Sequence, residues 1–266
     1  MTYSAALFDG AEGQALEAAQ TAKYERILEQ IGAKQGDSIL EIGCGWGGFA
    51  ETAARRGMRV TGVTISREQL EYARARLEKA GLGDRVDLRF CDYRDMEGRY
   101  DHIVSIEMIE AVGHEFYDEY FAQCARLLKP EGAMLLQAIT IADQRYDAAR
   151  RSVDFIQRHI FPGSCIPSVS AMTTSLARAT DLRIVRLEDI GPHYATTLRR
   201  WRENFFARLP EVRALGYPDE FVRLWEFYLC YCEGGFLERQ IGDAQLLFTK
   251  PLNRRAPVGY RRDAAD

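Results

Sequence analysis

The run Ile39-Leu40-Glu41-Ile42-Gly43-Cys44-Gly45-Trp46-Gly47-Gly48 constrains this chain more than any other stretch. It reads as a short buried strand, Ser38 to Ile42, then a glycine-packed turn, then a helix from Phe49 to Arg56. Glycines without a Cβ let the backbone turn tightly and let a ligand lie against it. The start of a helix adds free N–H groups and the positive end of a dipole at the same place. A small polar ligand is therefore expected above the end of this strand.

The rest of the chain supplies a frame around that turn. A helix is expected from Glu12 to Ile31, with Leu16, Ala19, Ala22, Tyr24, Ile27, Leu28 and Ile31 on its apolar stripe and Gly32 ending it. Strands are expected at Arg59 to Val63, Arg85 to Cys91, Tyr100 to Ile106 and Ala133 to Thr140. Between them lie a helix capped by Ser66 and running to Ala80, and a helix from His114 to Leu128 closed by Lys129-Pro130-Glu131-Gly132. Alternation of strand and helix implies a parallel sheet covered on both faces. After Ile141 the rhythm changes. Residues 141–180 read as irregular helix broken at Phe161-Pro162-Gly163-Ser164. A strand follows at Leu182 to Leu187, then aromatic-rich helices at Tyr194 to Leu209 and Asp219 to Arg239, then a last strand at Ala244 to Thr249 and a frayed tail from Arg254. The expected organisation is a single α/β domain over 1–266. Its seven-stranded, mostly parallel sheet carries a helical lid formed by about 141–180 and 194–240.

Composition excludes several classes. A net charge of −4 does not suggest nucleic-acid binding. The six cysteines, Cys44, Cys91, Cys124, Cys165, Cys230 and Cys232, form no Cys-x-x-Cys pair, so no metal site is expected. Their apolar surroundings suit a reducing cytoplasm. The first 30 residues carry no signal-peptide pattern, and no apolar run is long enough to span a bilayer. The chain enters its pattern at Met1-Thr2-Tyr3-Ser4 with no leading element, as a domain lacking its own beginning would.

The ligand can be narrowed from the residues. A dinucleotide fold calls for an acid at the end of the second strand, where this chain has Gly62-Val63-Thr64-Ile65-Ser66. No phosphate-binding lysine follows the glycines. Glu41 beside three glycines instead suits a ligand with positive charge and no phosphate, and S-adenosylmethionine fits that description. The alternative is that Glu41 merely caps backbone N–H groups.

Several motifs resemble the cyclopropane fatty-acid synthase family of methyltransferases. They are 40–48, Gly62-Val63-Thr64-Ile65-Ser66 with Glu68-Gln69, Asp92-Tyr93-Arg94-Asp95, and Ile103-Val104-Ser105-Ile106 with Glu110, Val112 and Gly113. Leu127, Lys129, Pro130 and Gly132, Ile160-Phe161-Pro162-Gly163, and Tyr194 with Thr196-Thr197-Leu198 complete the set. The similarity runs from Tyr3 to about Lys250, and longer members carry an additional N-terminal region. The resemblance implies a class I methyltransferase (Rossmann-like) fold and methyl transfer from S-adenosylmethionine to a cis double bond of an unsaturated fatty-acyl phospholipid. It places the cofactor on Tyr3, Ser4, Glu41, Gly43, Gly45, Gly47, Thr64, Ser66, Gln69, Asp92, Tyr93 and Arg94. It also implies a cytoplasmic enzyme that meets the inner face of the membrane transiently, and it leaves a homodimer open. Arg145, Arg150, Arg151 and Arg158 are candidates for facing anionic headgroups, against a default of a solvated face.

Attack of an alkene on a sulfonium methyl leaves a carbocation that must lose a proton. In ring-forming members the base is thought to be bicarbonate held by a cysteine, a glutamate, a histidine and a tyrosine. Here Glu110 and Tyr194 match, but Ala5 stands at the cysteine position and Gln137 at the histidine position. These changes weaken the case for bound bicarbonate. An additional acid, Glu107, lies three residues before Glu110; on a helix the two would share a face, one charged and one protonated. A protein carboxylate is thus a candidate to replace bicarbonate, giving a methylene or methyl-branched chain rather than a ring. A purely structural Glu107 is the alternative. His102, His114 and His159 read as structural, and His193, next to Tyr194, is a candidate for a direct role. The remaining alternatives for the whole chain are a non-catalytic lipid- or cofactor-binding relative, and a methyltransferase for a small soluble acceptor.

Overall fold

The computed structural model describes residues 1–10 and 13–254. The expected helix start at Glu12 and the tail beyond Arg254 fall outside that set. Seven strands form one sheet in the order β3-β2-β1-β4-β5-β7-β6. They are β1 (Ser38–Ile42), β2 (Arg59–Thr64), β3 (Val86–Phe90), β4 (Tyr100–Ile106), β5 (Leu128–Ile141), β6 (Arg183–Asp189) and β7 (Ile241–Thr249). The first five pair in parallel, and β7 runs antiparallel to both β5 and β6.

Apolar runs without alternation are explained by burial on both faces. Leu40, Ile42, Ile103, Met134, Leu136, Leu246 and Phe248 pack on one face. Helices α4 (Tyr117–Leu127) and α7 (Val169–Ala179) cover it. Ile39, Val60, Val104, Leu135 and Leu247 point the other way, onto α1 (Leu16–Ile31) and α2 (Gly48–Arg55). Helix α3 (Arg67–Lys79) covers the β2–β3 end through Leu70, Ala73 and Leu77. Ser66 caps it as expected, accepting a hydrogen bond from the Gln69 N–H at 3.2 Å.

Several boundaries differ from expectation: the helix expected from Tyr194 starts at Gly191, α4 starts at Tyr117, β6 extends to Asp189, and two further shifts involve β5 and β7. Strand β5 begins at Leu128, so Lys129-Pro130-Glu131-Gly132 belongs to the strand. Its pairing with β4 shifts register between Tyr100 and His102, and that irregularity accommodates a proline with no N–H to donate. Strand β7 begins at Ile241 and therefore includes Asp243.

The inserted region contains the short helices α5 (Asp143–Ala149) and α6 (Phe155–His159) before α7. After β6 come α8 (Gly191–Ala207), α9 (Leu209–Ala214) and α10 (Asp219–Leu237). Tyr194, Leu198, Tyr228, Leu229 and Phe236 form a third core under these helices, with Ala5 from the N-terminal segment buried among them. That segment is strapped down at successive residues. Ala6 N–H donates to Thr197 Oγ1 at 3.0 Å, Leu7 N–H to the Ala19 carbonyl at 3.1 Å, and Phe8 N–H to His193 Nδ1 at 3.3 Å. No helix among the described residues is long and apolar enough to cross a membrane.

Candidate active site

The strand order reverses between β1 and β4, where open α/β sheets leave a crevice at the carboxyl ends of their strands. The glycine turn lies there. Gly43, Gly45 and Gly47 all have φ between 49° and 81°, a region that L side chains rarely adopt. A Cβ on Gly43 would meet Met108 Cγ at 2.8 Å, whereas one on Gly45 would meet nothing within 4 Å. Gly43 is thus fixed by packing, and Gly45 faces open space where a ligand can approach the backbone. Glu41 is buried beneath the turn. Its carboxyl takes a backbone hydrogen bond from Ala50 in the first turn of α2, while its Oε2 has no partner. Burial pushes this carboxyl well above its usual range, against the opposing pull of Lys23. Glu41 therefore both caps and keeps one acceptor unspent.

The end of β2 adjoins this turn, the Gly43 and Cys44 N–H groups both donating to the Val63 carbonyl at 3.0 Å. Thr64 Oγ1 accepts from the Ser66 N–H at 3.1 Å and lies 3.2 Å from Gln69 Oε1, which ties 64–69 into one compact corner. Asp92 accepts from the Arg94 backbone N–H at 2.9 Å and from its guanidinium, so Tyr93 is held between two braced neighbours, its ring edge-on to Tyr120 at 5.4 Å. In the N-terminal segment Tyr3 stacks on Trp201 at 5.0 Å and shares a 2.7 Å hydrogen bond with the Tyr228 hydroxyl. The unspent Glu41 oxygen, the open face of Gly45 and the aromatic Tyr93 suit a cationic, phosphate-free nucleoside such as S-adenosylmethionine.

Behind the turn lies a buried polar cluster. Glu107 follows β4 with φ at 49°, so the chain leaves the strand in a left-handed conformation. Its Oε1 accepts from the Ala5 N–H at 2.9 Å and from Gln137 Nε2 at 2.7 Å, and its Oε2 accepts from the Tyr194 hydroxyl at 2.7 Å. The shared helical face expected for Glu107 and Glu110 is not formed, because only Ile109–Ala111 is helical, as one 3-10 turn. The two carboxyls still reach one site. Glu110 Oε1 accepts from the Ile139 N–H at 2.6 Å, and Oε2 is buried with no partner. Burial, with the Glu107 charge second, pushes Glu110 up to about 8.

Among curated relatives, the chain is 45% identical over 242 residues to a tuberculostearic acid methyltransferase of Mycobacterium tuberculosis, covering 89% of this chain and 57% of that protein. It is 41% identical over 255 residues to the cyclopropane-fatty-acyl-phospholipid synthase of Escherichia coli, covering 94% of this chain and 62% of that one. The chain thus spans about three fifths of the length of these relatives. The family model for mycolic acid cyclopropane synthetase matches residues 1–246. The chain belongs to the mycolic acid cyclopropane synthetase family. The solved cyclopropane synthase MmaA2 from Mycobacterium tuberculosis superposes with a TM-score of 0.85 at 28% identity, covering 94% of this chain and 90% of that one. A crystal structure of the mycolic acid cyclopropane synthase CmaA1 complexed with SAH and CTAB aligns equally well, with a TM-score of 0.85 at 29% identity. The fold is that of these class I methyltransferases.

Within this family frame, the four positions associated with bicarbonate acquire a different occupant. The backbone N–H of Ala5, the Gln137 amide and the Tyr194 hydroxyl all donate to Glu107. Three of the four positions are therefore spent on a protein carboxylate, and the fourth is the acid Glu110. The residues present do not fit bound bicarbonate. His193 is turned away, its Nδ1 receiving the Phe8 N–H.

Two members of the cluster were not expected. Lys23 on α1 is 0% exposed and donates to Ser4 Oγ. Asp243 on β7 is also 0% exposed, and its Oδ2 accepts from Gln137 Nε2 at 3.0 Å. Both left a trace in the sequence. Lys23 falls between Ala19 and Ile27 on the buried stripe of α1, and Asp243 adjoins the apolar run of β7.

Proposed function

We propose that this protein is an S-adenosylmethionine-dependent C-methyltransferase that adds a one-carbon unit to the double bond of an unsaturated fatty-acyl phospholipid. Glu107 serves as the proton acceptor. The observation that carries this reading is the set of three donors, Ala5 N–H, Gln137 and Tyr194, converging on one carboxylate where the family resemblance puts an anion.

Glu41, Gly43, Gly45 and Gly47 would hold the methionine and ribose side of the cofactor, with Thr64, Ser66 and Gln69. Tyr93, braced by Asp92 and Arg94, would lie against adenine, while Tyr3 and Ser4 close the site from the N-terminal segment. When bound, S-adenosylmethionine supplies an electrophilic methyl group on a sulfonium. The chain's own contribution is to receive an apolar acyl segment, exclude water and accept a proton. Trp201 packs edge-on against Tyr194, whose hydroxyl donates to Glu107. Trp201 and Tyr228 both contact Tyr3, with Phe161 on Tyr228; such an aromatic surround would favour a cationic chain and shed water. On the cationic chain a C–H bond breaks, and its electron pair closes a ring or forms a double bond. The proton passes to a Glu107 oxygen. Glu110, held protonated by burial, adds no second negative charge beside the cation.

Exposed apolar side chains on the cover, Phe161, Phe227, Tyr231 and Leu237, support transient contact with a membrane surface. The test is transfer of labelled methyl from S-adenosylmethionine into vesicles of an unsaturated phospholipid, with mass spectrometry of the acyl product. A methylene-branched chain, or a methyl-branched chain that keeps a double bond, is the expected product. A predominant cyclopropane would overturn the branching assignment, and absence of label in lipid would overturn the activity.

A further inference from the structure

Lys23 is the unused charge in this cluster. A fully buried ammonium is costly unless negative charge compensates it. Its hydrogen bond goes to a neutral hydroxyl, Ser4 Oγ, and its Nζ lies 4.7 Å from the ring centre of Tyr24 on its own helix. Three carboxyls face it from the other elements packed around it: Glu107 after β4, Asp243 on β7 and Glu41 at the end of β1. Burial drives Glu41 and Asp243 towards the neutral form. Geometry joins Lys23 to Glu107 through adjacent residues: Ser4 accepts from the ammonium, and Ala5 is one of the three donors to Glu107.

The amides around Glu107 supply orientation and no charge. Gln30 Nε2 donates to Gln245 Oε1 at 3.1 Å, and Gln245 Nε2 donates to Gln137 Oε1 at 3.0 Å. The Gln137 oxygen is thereby occupied, and both of its N–H bonds are turned to Glu107 and Asp243. Asp243 lies beside Glu107, since Gln137 Nε2 donates to both, and burial together with the Glu107 and Glu110 charges raises its carboxyl well above the usual range against the pull of Lys23. The Gln137 amide thus ties the two carboxyls together, and Lys23 is the cation that acts on Asp243.

We propose that Lys23 is a positioning residue for deprotonation: a buried counter-charge that holds one negative charge on the Glu107–Asp243 pair and so keeps Glu107 ready to receive the substrate proton. This rests on the reading of Glu107 as proton acceptor. When a substrate C–H bond breaks, its electron pair stays in the acyl chain and the proton goes to Glu107. The carboxyl pair is then neutral beside a charged Lys23, and release of one proton to water after product leaves restores it.

The test is the pH profile of methyl transfer at saturating S-adenosylmethionine for the wild type, Lys23→Met, Lys23→Arg and Glu107→Gln. Removing the ammonium makes ionisation of the pair harder, so the acid limb of Lys23→Met should move up by about one pH unit, roughly a tenfold loss of rate on that limb. Lys23→Arg should keep the wild-type midpoint, as a merely space-filling role would not require. An unshifted midpoint in Lys23→Met overturns the inference, and if Glu107→Gln is nonetheless inactive the acceptor reading survives. A fully active Glu107→Gln overturns both. Should Lys23→Met fail to fold, NMR titration of 15N-labelled lysine in the wild type and in Glu107→Gln decides. Charge coupling is reciprocal, so loss of the Glu107 charge should lower the Lys23 midpoint from about 8, and an unchanged midpoint overturns the proposal.

Discussion

Glu107 concentrates the unusual features of this chain in one residue. It has φ at 49°, a conformation that costs a non-glycine residue about 1–2 kcal/mol, and it is held there by hydrogen bonds from three separate elements. Glu107→Gln keeps the size and backbone but cannot accept a proton at neutral pH. Product formation should fall about a hundredfold or more, checked by acyl-product yield with cofactor binding measured separately. Glu110 makes a different prediction. Its carboxyl is raised from 4.5 to about 8 in the folded protein, so the native state binds more protons than the unfolded chain between those values. Its contribution is complete below about 4.5 and is lost as pH rises through about 8. Glu110→Gln should therefore gain stability relative to wild type as pH is raised from 5 to 9, by on the order of 1 kcal/mol or more, read as a widening Tm difference.

Element by element, the glycine turn and the N-terminal strap do different work. Gly45→Ala meets no steric neighbour but would require a left-handed alanine, a cost of about 1 kcal/mol in stability. Because the Cβ would enter the open face, the larger effect should be weaker binding of S-adenosylhomocysteine, measured by calorimetry. Thr197→Val leaves the buried Ala6 N–H without its acceptor and should cost about 1–3 kcal/mol in chemical denaturation. It should also loosen Ala5 from Glu107. The elements themselves were legible because their apolar patterns are unambiguous: β1 and β4 fall where the sequence puts them, and Ser66 caps α3. The misread boundaries have physical causes. Pro130 and Gly132 signal a turn locally, but register slippage against β4 lets them continue a strand. Gly242 and Asp243 are poor strand formers, and pairing with β5 carries β7 back through them to Ile241.

For the whole molecule, the sheet topology and the glycine turn were readable from periodicity and spacing, whereas the polar cluster was not. It is assembled from residues far apart in the chain, Ala5, Lys23, Glu107, Gln137, Tyr194 and Asp243, and only their convergence reveals its charge balance. Gln20, Lys23 and Gln30 sit among the apolar residues of the buried helix face, a pattern that marks buried polar partners without naming them. Gln137 alone reads as a lost histidine. In the folded chain it is the end of an amide relay that aims at two carboxyls. In the proposed mechanism Glu107, with its three donors, takes the place of an added anion. The most direct measurement is the rate of methyl transfer to unsaturated phospholipid vesicles in rigorously CO2-free buffer, with and without added bicarbonate. With Glu107 as acceptor the rate should be the same in both. A rate that collapses without bicarbonate and returns on its addition would contradict the account.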